Sequence, residues 1–109
     1  MRLSSWLALL LVAGVSACAS LRSVQRAGTV RVSIKSFAFD PKTAELSLGD
    51  TVEWVNNDDF THSAVSDAGS FDTGNIPGQE RRTFVPRSRG TFTYHCSWHP
   101  TMHGTISVK

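Results

Sequence analysis

From Thr29 to the C-terminus the chain alternates apolar and polar residues between turns, and it never sustains the apolar stripe of a helix. In "TVRVSIKSFAF", Val30, Val32 and Ile34 share one face while Arg31, Ser33 and Lys35 share the other, the period of a half-buried strand. "AELSL" and "TVEWVN" read the same way, with Val52, Trp54 and Asn56 on one side. "TFVP" is a strand closed by Pro86. "GTFTYHC" sets Phe92, Tyr94 and Cys96 against Thr91, Thr93 and His95, and "GTISVK" places Ile106 and Val108 together. Turns fall at "DPK", where Pro41 fixes φ, at Gly49-Asp50, a hairpin-type signal, and at "RSRG". Short strands with regular turn signals predict an all-β, Greek-key sandwich in one domain over residues 29–109. Phe37, Phe39, Trp54, Phe84 and Phe92 are expected in its core.

The N-terminus places this domain in a compartment. "MRLSSWLALLLVAGVSACAS" has one charge, Arg2, ahead of an apolar run from Trp6 to Val15. That run is shorter than the roughly 20 residues a membrane span needs, but it fits the apolar region of a secretory signal. "VSAC", Val15 to Cys18, resembles a bacterial lipobox, which implies a signal peptide over residues 1–17 and a lipid on Cys18. "ACA" also fits ordinary signal cleavage, which would release a free protein. The lipoprotein is the preferred reading, with residues 18–28 as anchor cysteine and tether. The expected location is periplasmic or cell-surface, attached to the membrane through lipid on Cys18.

Processing removes or acylates Cys18, so Cys96 is the one remaining thiol in a compartment that permits disulfides. Roughly ninety residues remain, enough for one modest core. Without Arg2, ten Lys and Arg face nine Asp and Glu. That balance argues against nucleic acid as a partner, and a monomer is expected.

"YHCSWHPTMHG" gives Cys96 its use. Cys96, His99 and Met102 are spaced C-x2-H-x2-M in a short loop between two strands. A fourth ligand must come from elsewhere, and His62 in "NNDDFTHSAV" follows a strand in a turn-rich connection. Two imidazoles, a thiolate and a weak axial thioether form the trigonal copper set used for electron transfer. Thiolate suits Cu(I), imidazole suits both oxidation states, and an intermediate site needs little rearrangement on reduction. His95 lies beside Cys96 in a strand, so its side chain is expected on the opposite face, making a hydrogen bond. His103 is expected to face solvent.

These motifs resemble those of the cupredoxins, the small blue copper proteins. The likeness covers Thr29 to Lys109 and rests on "FAFDPKTAELSLGDTVEWVNND", "FTH" and "GTFTYHCSWHPTMHGTISV". The short Cys96–Met102 spacing is similar to that of amicyanin; the loop of plastocyanin and pseudoazurin is longer. The resemblance implies that His62, Cys96, His99 and Met102 bind one copper ion cycling between Cu+ and Cu2+. It also implies an apolar patch around His99, including Trp98 and Pro100, where redox proteins dock; a c-type cytochrome, dehydrogenase or oxidase is the kind of partner expected. Two positions depart from the family. Ser63 stands where many members have Asn, which puts that loop-fixing link in question. Trp98 stands where many have Pro.

The reading is a one-electron carrier outside the cytoplasm, not an enzyme. A copper-binding or copper-delivery protein would use the same ligands, and zinc would suit Cys and His but gain nothing from Met102. The run Arg81, Arg82, Arg87 and Arg89 is read as a solvated face, with steering of an acidic partner as the sharper alternative.

Overall fold

A computed structural model describes residues 26–109, which form two four-stranded sheets packed as a sandwich. The signal segment, Cys18 and most of the tether lie outside the described residues. The strands are β1 (Thr29–Lys35), β2 (Ala38–Asp40), β3 (Thr43–Leu46), β4 (Thr51–Asn56), β5 (Val65–Ser66), β6 (Arg81–Phe84), β7 (Gly90–His95) and β8 (His103–Val108). One sheet runs β2-β1-β4-β6 and the other β3-β8-β7-β5. β1 pairs with β4, and β3 with β8, in parallel; the remaining pairs are antiparallel.

Alternation puts the expected faces inward. Val32, Ile34, Val52, Trp54, Tyr94 and Ile106 are fully buried between the sheets, with Val108 almost so. Trp54 and Tyr94 meet edge to face at the centre, their ring centroids 5.5 Å apart. Phe39 is buried, whereas Phe84 and Phe92 are partly buried against the same core.

Four details differ from the sequence reading. "TVRVSIKSFAF" is not one strand. Ser36 and Phe37 take positive φ values of 53° and 59° and fold it into the β1–β2 hairpin. No simple alternation announces that reversal, because neither residue type favours the left-handed region. Phe37 is consequently not core: it is 45% exposed at the tip of the hairpin. The Gly49-Asp50 turn is present, with Gly49 at φ 101°, but it joins strands of different sheets instead of closing a hairpin. The strand read at "TFVP" lies two residues earlier, and Val85 is exposed beyond its end. β5, two residues long, is too short to leave an alternation signal.

Candidate metal centre

The end of the sandwich formed by the tops of β4, β7 and β8 carries the site. β7 ends at His95, so Cys96 starts the loop that returns to β8 at His103. Two backbone bonds shape this loop. The Cys96 amide donates to the Met102 carbonyl at 3.1 Å, and the Met102 amide donates to the His99 carbonyl at 2.8 Å. They fold the seven residues from Cys96 to Met102 into a tight turn that points Cys96 and Met102 inward, where both are buried.

His62 arrives from the other connection. Its backbone exchanges hydrogen bonds with Ile76 at 3.1 and 2.7 Å, fixing a fully buried side chain. Asn56, also fully buried, ends β4 and donates to the carbonyls of Phe60 and Ile76, at 2.7 and 2.8 Å. A buried amide satisfied this way clamps the approach to His62.

The three side chains converge. Cys96 Sγ lies 3.7 Å from His62 Nδ1 and 3.8 Å from His99 Nδ1, and the three donor atoms lie within 4.8 Å of one another. At the bond lengths of protein zinc sites, about 2.0–2.1 Å to nitrogen and 2.3 Å to sulfur, an angle of roughly 120° separates the donors by about 3.8 Å. The spacing therefore fits one trigonally bound ion. Among the described residues no other group of three Cys, His or carboxylate side chains converges in this way. Met102 closes the same loop, is buried, and lines a shallow crevice together with Phe37 and Phe39.

The surroundings set the tautomer of His62. Its Nε2 is 2.9 Å from Asp58 Oδ2. An ionised carboxylate only accepts, so Nε2 carries the hydrogen and Nδ1 offers its lone pair towards Cys96. Asp58 also accepts from the Ser36 and Phe37 amides, at 2.7 and 3.0 Å. Burial pushes its carboxyl up, but the Phe37 and Ser36 amides and the His62 ring outweigh that and hold it below the usual carboxylate range. One carboxylate thus joins the strained hairpin tip to the histidine.

That hairpin matters because Phe37 covers the site. Its ring meets His62 at 5.4 Å and His99 at 4.9 Å, both edge to face, and touches Phe60 at 5.3 Å. Sequence reasoning missed Phe37, Asp58, Phe60 and Asn75 here. Only the carboxylate four residues before His62 left a readable hint.

The departures resolve differently. Ser63 makes the link that its short side chain put in question. Its Oγ accepts the Ser97 amide at 2.9 Å, shares a hydrogen bond with Ser97 Oγ at 2.7 Å and lies 3.9 Å from Cys96 Sγ. Trp98 is 58% exposed and donates from Nε1 to Asn75 Oδ1 at 2.9 Å. His95 points away from the site and bonds Asp67, as expected, and His103 is exposed.

Sequence and fold both match known proteins. The cupredoxin-like domain family matches residues 6–108, and the chain belongs to that family. It is 26% identical to amicyanin from Paracoccus denitrificans, over 75% of this chain and 66% of that protein, just under two thirds of its length. It is 32% identical to plastocyanin from Scenedesmus fuscus, over 74% of this chain and 98% of that protein. Among solved structures, an oxidised amicyanin variant superposes with a TM-score of 0.71 at 25% identity, covering 75% of this chain and 83% of that one. A copper-containing nitrite reductase from Thermus scotoductus SA-01 superposes with a TM-score of 0.70 at 33% identity, covering 74% of this chain but 22% of the reductase.

Proposed function

We propose that this protein is a type 1 copper electron carrier, with His62, Cys96, His99 and Met102 as ligands. The convergence of His62, Cys96 and His99 donor atoms within 4.8 Å carries the reading. Membership of the cupredoxin-like family supports it. A bound copper ion supplies a one-electron couple between Cu(I) and Cu(II).

The chain's own residues do the rest. Cys96 offers a thiolate in a buried setting that excludes water, and Met102 offers a soft thioether from the same loop. Asp58 and Phe37 hold the His62 ring in place, so little moves when the charge of the site changes. Of the four proposed ligands only His99 is incompletely buried. It therefore offers the shortest route to a partner. Phe37, Phe60 and Trp98 expose apolar surface around it, a patch of the kind that marks an interaction site. Redox proteins dock there, with Trp98 and Pro100 on its rim. Burial of His62, Cys96 and Met102 favours retention of the metal over its delivery to an acceptor.

The carrier works outside the cytoplasm, held to a membrane by lipid on Cys18. Mass spectrometry of the membrane fraction tests the anchor; an unmodified chain starting at Ser20 rules it out. The first test of the site is a visible spectrum after adding one equivalent of Cu(II). An intense blue band that bleaches with mild reductant is expected. A colourless protein would overturn the reading and favour metal delivery or zinc.

A further inference from the structure

The chain has four histidines, and the structure sorts them into two pairs. His62 and His99 flank Cys96 inside the sandwich end. His95 and His103 stand directly opposite each other on β7 and β8. Their neighbours Tyr94, Cys96, Met102 and Gly104 are buried, so strand alternation turns both imidazoles to the outer face of the sheet.

The ladder brings the pair close. The Cys96 amide bonds the Met102 carbonyl, which marks that position as hydrogen-bonded. Antiparallel positions alternate, so His95 and His103 occupy a non-hydrogen-bonded pair, with Cα atoms roughly 4.5 Å apart and side chains closer than at the flanking positions. Two imidazoles so placed can share one ion.

Asp67 completes the arrangement. It follows β5, and its Oδ1 receives the Nδ1 hydrogen of His95. That bond leaves the Nε2 lone pair of His95 free to bind a metal, the orientation that metal-binding histidines usually take from a carboxylate. An ionised carboxylate only accepts, so the shared hydrogen is that of His95. His103 is exposed and makes no side-chain hydrogen bond among the described residues, so it can turn towards an ion without losing a partner.

We propose that His95 and His103 form a second, surface site for a divalent first-row ion of the Cu2+, Ni2+ or Zn2+ type. Nε2 of His95 and the His103 ring are its ligands, Asp67 is the group that orients His95, and water fills the remaining positions. Imidazole suits all three ions. The site is independent of the buried centre, although each of its histidines adjoins one of that centre's proposed ligands in sequence.

Ni2+ is the probe, because copper outranks nickel in affinity and will not be displaced from the buried centre. The full chain, carrying one equivalent of copper, is titrated with Ni2+ by calorimetry. One further equivalent is expected to bind in the micromolar range with the visible band unchanged. H103N and H95N should each weaken it by at least tenfold, and D67N by about tenfold or more through loss of orientation. Circular dichroism confirms that each variant is folded. In a C96S background the H103N effect should persist, which separates this site from the identity of the buried one. Absence of the further equivalent, or binding that both H95N and H103N leave intact, overturns the proposal.

Discussion

The Ser63 hydroxyl oxygen accepts the Ser97 amide proton at 2.9 Å, tying together the two chain segments that carry His62 and Cys96. The residue following each ligand thus bonds across the site. Ser63 Oγ also shares a hydrogen bond with Ser97 Oγ and lies 3.9 Å from Cys96 Sγ. When Ser97 donates both of its hydrogens to Ser63, the Ser63 hydrogen is free to reach the sulfur. Ser63→Ala leaves the Ser97 amide without its acceptor, and about 0.5–1.5 kcal/mol of stability should be lost. It also removes a donor from the thiolate. A thiolate with one hydrogen bond fewer favours Cu(II) more strongly, so the reduction potential of the copper-loaded variant should fall. Denaturant titration and voltammetry check the two effects separately.

Gly104 is held by packing alone. A Cβ built there would lie 2.3 Å from Cζ and 2.4 Å from Oη of Tyr94. The Tyr94 ring is fully buried between Trp54 and Phe39 and has nowhere to go. Gly104→Ala should cost about 3 kcal/mol or more, the upper end for overpacking. The midpoint of urea unfolding should fall, and near-ultraviolet circular dichroism should report a changed Tyr94 environment.

Acid should weaken the fold through Asp50. Its carboxylate accepts the Gly28 amide at 2.8 Å and the Ser47 amide at 2.9 Å. The Gly28 bond first, and then that of Ser47, hold its carboxyl below the usual range. A carboxyl lowered in the folded state adds stability that is fully present above its unfolded value, about 3.9, and is lost as the pH falls through the folded value. Asp50→Asn should be less stable than the parent chain at neutral pH, with the gap closing below about pH 4. Unfolding curves at several pH values read this directly.

Trp98 should matter to a partner and not to the fold. It is 58% exposed, and its single side-chain hydrogen bond, to Asn75, lies at the surface. Trp98→Ala should change stability by no more than about 0.5 kcal/mol. Electron transfer with a docking redox protein should slow, while the visible band is kept. An unchanged transfer rate would place docking elsewhere.

The arginine run should not steer that encounter. Arg81 pairs with Glu53 at 3.6 Å and Arg82 with Glu80 at 3.3 Å. Arg87 and Arg89 precede Gly90, which pairs with Val108 at the end of β7 far from the His95–His103 pair beside the site. Replacing both with Gln should leave the salt dependence of partner electron transfer unchanged, as stopped-flow rates would show.

The sequence by itself determined the sandwich and the proposed ligands. Alternation marks inward faces because successive strand residues point to opposite sides, and the C-x2-H-x2-M loop is local enough to be read as one unit. What surrounds that loop was decided by tertiary structure alone. The Ser36–Phe37 reversal carries no alternation signal, yet it turns an expected core phenylalanine into the cover of His62 and His99. Asp58 reaches back 21 residues to that reversal, and Ser63 reaches forward 34 to Ser97. The opposition of His95 and His103 depends on the register of two strands. Such contacts arise between segments that only folding brings together, and no periodicity within either segment encodes them.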